Sequence, residues 1–102
     1  MTDHFRFTAE QAQLLADALT NVPGVVRLHP GTYGEVSLLF PGLRVPGLRH
    51  LSVRDDTGIA AYVVLDLNAD IPAADVAAAV RAKARETLPA LRHVDVIIAD
   101  AE

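Results

Sequence analysis

Cysteine is missing from this chain, tryptophan is missing as well, and Ser37 and Ser52 are the only serines. The lack of cysteine excludes disulfides, a thiol nucleophile and thiolate metal ligands, and it suits a reducing cytoplasm. Neither serine lies in a Gly-x-Ser-x-Gly turn of the kind that exposes a nucleophile, so the sequence gives acyl-transfer chemistry no support.

Long apolar runs are also lacking, and none approaches the length that crosses a bilayer. Residues 1–7 lack a charged region followed by an unbroken apolar stretch, so they do not resemble a secretion signal. We therefore expect a cytoplasmic protein that associates with the inner face of the cell membrane only peripherally or through a partner.

The composition that remains is that of one globular domain spanning residues 1–102, with 51% hydrophobic and 22% charged residues. The net charge of −4 disfavours a general nucleic-acid binder, because such proteins must neutralise phosphates. Arginine outnumbers lysine eight to one. A GC-rich genome is expected to produce this bias, and an arginine-based anion site is the alternative interpretation.

A first helix is predicted after Thr8, because Thr8 and Gln11 have the spacing of a capping box. Apolar residues at helical spacing follow on one side, and Pro23-Gly24 cannot continue the pattern. We therefore expect the helix to end near Thr20 or Asn21.

A second helix is predicted to open at Asp70-Ile71-Pro72, with proline in the first turn, and to stop at Pro89. Its predicted buried stripe consists, apart from one leucine, of alanines and valines, whose small side chains allow close packing on a sheet. The stripe comprises Ala73, Val76, Ala77, Val80, Ala84 and Leu88.

Alternation of apolar and polar residues predicts the strands. They cover residues 25–28, 35–40, 50–54, 59–68 and 94–100. Pro41-Gly42 and Pro46-Gly47 indicate a loop-like segment, and residues 55–58 indicate a turn. The near-continuous apolar character of residues 59–68 predicts a central strand.

This order of elements predicts an α+β two-layer sandwich in which two helices cover a mixed, mostly antiparallel sheet of four or five strands. The last strand, the second helix and the strand before it form a β-α-β unit, which makes those two strands parallel. A closing strand at the sheet edge would recruit another strand, whereas a central one would favour a monomer.

Histidines and aspartates on or near the strands are the only candidates for acid-base or metal chemistry. They are His29, His50, His93, Asp66, Asp95 and Asp100. Their spacing matches no recognised ligand pattern such as His-Glu-x-x-His, so we expect no metal, no cofactor and no catalytic residue. Residues 30–34 contain two glycines but lack the ending of a phosphate loop, and a turn accounts for them.

The most basic segment, residues 44–54, carries Arg44, Arg49, His50 and Arg54. Together with Tyr33, Phe40 and Tyr62, which could supply stacking surfaces nearby, these side chains are the basis for an alternative function as a small nucleotide- or RNA-binding domain. Asp55 and Asp56 follow at once, and a solvated loop is the favoured explanation of the segment.

Exposed alanines on the outer side of the second helix provide the best candidate surface for a protein partner or for another copy of the chain. Small side chains let another helix approach closely, although alanine is also simply a good helix former. The predicted partner-binding residues are Ala78, Ala82, Arg81 and Arg85, with Asp95 and Ile97 on the last strand.

Four short motifs, taken in their order along residues 12–100, resemble the alkaline shock protein twenty-three / Gls twenty-four family of envelope stress proteins. They are Pro23-Gly24-Val25-Val26-Arg27, Val63-Val64-Leu65-Asp66-Leu67, Ile71-Pro72 before residues 76–81, and Val94-Asp95-Val96-Ile97-Ile98-Ala99-Asp100. The resemblance implies a non-catalytic cytoplasmic protein of the Gram-positive envelope stress response, held near the membrane by an integral partner.

Overall fold

The computed structural model describes residues 5–102. Residues 1–4, on which part of the signal-peptide prediction falls, lie outside the described residues. Residues 5–102 form two α-helices, six strands and one short 3-10 helix, which confirms the predicted α+β class. In order they are α1 Ala9–Thr20, β1 Val25–Leu28, β2 Ser37–Phe40, β3 Leu43–Pro46, β4 Leu48–Ser52, β5 Asp55–Leu65, the 3-10 turn Leu67–Ala69, α2 Ala73–Thr87 and β6 His93–Ala101.

Helix α1 begins as its sequence predicts. The Thr8 side chain accepts a hydrogen bond from the Gln11 amide, and the Gln11 side chain accepts one from the Thr8 amide, both at 3.1 Å. This reciprocal pair satisfies two amides that have no partner inside the helix. The helix ends at Thr20, and Leu15 and Leu19 are fully buried on its inner side.

Strand β5 is the centre of the main sheet, as predicted. β1 and β4 pair antiparallel with its two halves, and β6 pairs parallel along most of its length. Each β5 residue has only two sides for pairing, so β1 and β4 must share one side, end to end, while β6 occupies the other. The parallel β5–β6 pair confirms the β-α-β unit and places β6 at the edge of the sheet among the described residues.

Segment 41–47 corrects the prediction of a loop. Pro41-Gly42 forms the turn of a hairpin, with Gly42 at φ 75°, and Leu43–Pro46 returns as strand β3. The strand is hard to recognise because it is only four residues long and lies between two Pro-Gly pairs. Burial of Val45 in the core holds it in place.

Residues 55–58 also differ from their prediction as a turn. The chain reverses at Val53-Arg54, Ser52 pairs with Asp55, and β5 starts there. The Asp55 carboxylate still accepts the turn-type hydrogen bonds from the Thr57 amide and hydroxyl, but pairing with β4 and β6 holds the segment in the sheet. The Asp56 carboxylate accepts one from the Phe7 amide at 2.8 Å.

Both helices pack on one face of the sheet. Val76, Val80 and Ala84 of α2 share the core with the β5 residues that point to the same face. The predicted stripe is correct at these positions, whereas Ala73 is exposed and Ala77 is half-buried. Neither helix of residues 5–102 has the length and apolar character to cross a membrane.

Candidate interaction surfaces

The four predicted partner-binding residues of α2 lie on its outer half. Ala78, Ala82 and Arg85 are exposed and Arg81 is half-buried. Helical spacing turns Ala78 and Ala82 directly away from the buried Val80, because residues 76, 80 and 84 define the inner face. Arg85 donates a hydrogen bond to the Arg92 carbonyl at 3.4 Å, which places it beside the start of β6.

An open groove of about 360 Å³ lies between the end of α1 and α2. We call it the groove face, and its lining is mainly apolar. Its residues are Asn21, Val22, Pro23, Ala79, Ala82, Lys83 and Glu86. Ala82 is the predicted partner residue within it. The other residues escape prediction because their proximity depends on how α1 and α2 pack, although alanines at positions 79 and 82 are a partial signal.

Asp95 and Ile97 lie on the opposite face of the sheet from α2. Asp95 pairs with Ala60 and Ile97 with Tyr62, whereas the alternate residues Val94 and Val96 follow the helix-covered side. The outer surface of α2 therefore points away from the face of the sheet that carries Asp95 and Ile97. The six predicted residues therefore belong to separate surfaces rather than to one patch.

The open face of the sheet is partly covered by its own long side chains. The Arg49 guanidinium lies 5.7 Å from the centre of the Tyr62 ring, and its Nε donates to the Tyr62 hydroxyl at 3.1 Å. At the end of β5, Arg27 forms an ion pair with Glu102, so β1 and the end of β6 are joined across β5. The hydrogen bond between these two side chains lowers the pKa of Glu102 and raises the pKa of Arg27.

Among residues 5–102, three carboxyl groups have pKa values below their ordinary range. The main causes are backbone amides for Glu35, the Thr57 side chain for Asp55 and the Arg27 side chain for Glu102. A carboxyl whose pKa is lower in the folded state stabilises the fold above its ordinary pKa, and this contribution is lost as pH falls through the folded value. We therefore expect the melting temperature to decrease once the pH is lower than about 4.

Thermal melting between pH 7 and pH 2 checks this expectation. Glu102→Gln should reduce the loss of melting temperature at low pH, because it removes one of the three carboxyl groups whose pKa is lowered. Glu10→Gln on the exposed side of α1 serves as the control. If Glu102→Gln and the unaltered chain follow the same pH profile, the Arg27–Glu102 pair does not contribute.

The basic segment 44–54 does not form a single surface. Arg44 is on the hairpin strand β3, and Arg54 is in the turn between β4 and β5. Arg49 and His50 are neighbours on β4, so their side chains point to opposite faces, His50 packing 5.9 Å from the Phe7 ring. Phe40 packs against the core, while Tyr33 is 92% exposed in a loop.

The histidines and aspartates weighed for acid-base or metal chemistry are also dispersed. His29 Nδ1 accepts a hydrogen bond from the Gly31 amide, and His50 Nδ1 lies 3.7 Å from Asp56. The Asp66 carboxylate accepts a bond from the Asn68 amide. Across residues 5–102 no group of three or more His, Asp or Glu side chains is arranged to hold a metal ion.

Comparison of the chain with models of known protein families, with curated proteins and with solved structures finds no match.

Proposed function

We propose that this domain is a non-enzymatic protein-interaction module of the cell-envelope stress response, acting at the cytoplasmic side of the membrane through an integral membrane partner. The proposal rests on the groove face. This apolar groove lies between the two helices and is bordered by exposed alanines of α2. The order of the four sequence motifs, which resembles the alkaline-shock family, supports the choice of cellular role.

The groove face suits a helical segment of the partner. Helices pack by placing the ridges of one into the grooves of another, and small side chains allow the closest approach. Ala79 and Ala82 provide such a surface, and Val22 and Pro23 form the opposite wall. An amphipathic segment would bury its apolar side here, as in other helix-in-groove complexes.

The charges at the rim of the groove face bear on the kind of segment that we expect to bind. Lys83 and Glu86 lie 3.5 Å apart and neutralise each other, Lys83 being half-buried and Glu86 exposed. Because the rim has no net charge, it offers no electrostatic preference for a strongly acidic or basic segment. We therefore expect the bound segment to present an apolar, small-residue side to the groove.

Substitution of Ala82 tests this proposal. Ala82→Arg fills the groove with a long charged side chain, and Ala90→Arg places the same side chain on an exposed residue after α2. In cells that express the protein at its natural level, we expect Ala82→Arg to abolish recovery in the membrane fraction. Ala90→Arg should leave that recovery unchanged.

A photo-activated cross-linking residue identifies the contact directly. Placed at position 82, it should yield an adduct with one integral membrane protein, and placed at position 90 it should not. Adducts of the same identity and yield from both positions, or a robust turnover activity of the purified domain, would contradict the proposal. Tight, salt-sensitive binding of single-stranded RNA would instead favour the alternative based on residues 44–54.

A further inference from the structure

We infer that the free side of β6 pairs antiparallel with β6 of a second copy of this chain, joining two sheets into one. This surface lies on the other side of α2 from the groove face, so the inference goes beyond the proposed function. It rests on the exposure of the strand, on the distribution of its apolar residues and on the charges at its two ends.

Strand β6 is long and unprotected. It has nine residues, or roughly 30 Å of extended chain, and in residues 5–102 only β5 pairs with it. Natural edge strands are usually shielded by proline, lysine, a strong bulge or a covering segment. β6 contains neither proline nor lysine. Its one register shift leaves Ala99 without a partner on β5, so regular alternation extends over residues 93–98.

The apolar side of β6 is incompletely covered. Val94, Val96 and Ile98 all lie on the helix-covered side of the sheet. Their burial nevertheless decreases along the strand: Val94 is 5% exposed, Val96 is half-buried and Ile98 is 39% exposed. An antiparallel pairing centred near Val96 sets Val94 of one copy against Ile98 of the other. Cross-strand apolar pairs of this kind stabilise antiparallel sheets.

The charges of β6 specify a second copy and its direction. Arg92 precedes the strand and His93 begins it, with Arg85 alongside, while Asp55 on β5 lies near Arg92 and His93 and Asp95 follows two residues further along β6. Asp100 stands near its end. An antiparallel pair places the basic start of each strand against the acidic end of the other, whereas a parallel pair places like charges together.

The end of the strand is tied to the segment after β5, because the amide of Leu67 donates to the carbonyl of Glu102 at 2.8 Å. Asp100 acts on the Glu102 carboxyl as a neighbouring negative charge. Glu102 itself is paired with Arg27. This end therefore retains a negative charge that complements the basic start of a second copy.

Helix α2 opposes the pairing only weakly. Pairing of the two β6 strands brings the Arg81 side chains of both copies toward each other, and these like charges repel. A single partly exposed pair is weaker than the row of backbone hydrogen bonds that strand pairing adds. Ala77 and Ala78 leave room for the two α2 helices to lie side by side above the joined sheet.

Light scattering coupled to gel filtration, at several protein concentrations, tests the inference. One chain has a mass of 10.9 kDa, and we expect twice that value as concentration rises. Ile98→Lys introduces a shielding charge on the edge and should restore the mass of one chain. Leu14→Lys is the matched control, because Leu14 is also exposed, at 57%, but lies on α1.

A charge swap tests the antiparallel direction. Arg92→Asp and Asp100→Arg should each weaken the dimer about tenfold, since the symmetry doubles each altered contact. The double variant should recover the original affinity. A mass of 10.9 kDa at the highest concentration overturns the inference. Equal dissociation by Leu14→Lys, or a double variant no tighter than the single ones, also overturns it.

Discussion

Val80→Asp is expected to cost about 3 to 5 kcal/mol of folding free energy, which would leave a small domain close to unfolded. Val80 is fully buried between α2 and the sheet, where the described residues contain no buried charged or polar side chain that could pair with a carboxylate. An ionised carboxylate in apolar surroundings must either remain unpaired or take up a proton, and both are unfavourable.

Urea denaturation measures this loss, with Ala78→Asp as the control. Ala78 lies two positions away on the exposed side of the same helix, so its substitution should cost no more than about 1 kcal/mol, mainly from the lower helix propensity of aspartate. Similar midpoints for Val80→Asp and the unaltered chain would mean that the buried side of α2 has been misassigned.

Gly47→Ala is the second substitution with a large expected effect. Gly47 adopts a φ of 92°, which residues that carry a Cβ rarely adopt. A Cβ added there would also overlap the Cβ of Leu28. Its amide donates to the Val36 carbonyl at 2.8 Å, and its carbonyl accepts from Tyr62 at 2.9 Å. The residue thus links the β2–β3 hairpin to the centre of the main sheet and has little freedom to move.

We expect Gly47→Ala to destabilise the domain by roughly 2 to 5 kcal/mol, adding the cost of a left-handed conformation to that of overpacking. Gly42→Ala separates the two causes. Gly42 also has a positive φ, of 75°, but an added Cβ has no neighbour within 4 Å, so only the conformational cost applies. Equal losses in the two variants would show that the contact with Leu28 adds nothing.

The two proposed surfaces complement each other. Pairing through β6 leaves the groove face of each copy free, because the groove lies on the α1 side of α2. A dimer would then present two grooves, and a partner that is itself dimeric or clustered in a membrane would bind with higher avidity than a single groove allows. Ile98→Lys should therefore weaken membrane recruitment without abolishing binding to an isolated partner segment.

The candidate surfaces were only partly predictable from sequence. Exposed Ala78 and Ala82 follow from helical spacing around the buried Val80, since that spacing is a local property. Asp95 and Ile97 were assigned to the same partner surface, yet they lie on the opposite face of the sheet from α2. Sequence spacing within one strand shows which residues share a face, but it does not show which face another element covers.

The sequence by itself determined the bounds of α1, the central position of β5 and its parallel pairing with β6. Each follows from neighbouring residues: a capping box, a continuous apolar strand and a helix of sufficient length to return the chain. Only the tertiary structure decided that Leu43–Pro46 is a strand, that β1 and β4 share one side of β5, and that β6 is left at the edge. The physical reason is that these features depend on which distant segments compete for the same backbone hydrogen bonds and the same core, and no local pattern encodes the outcome of that competition.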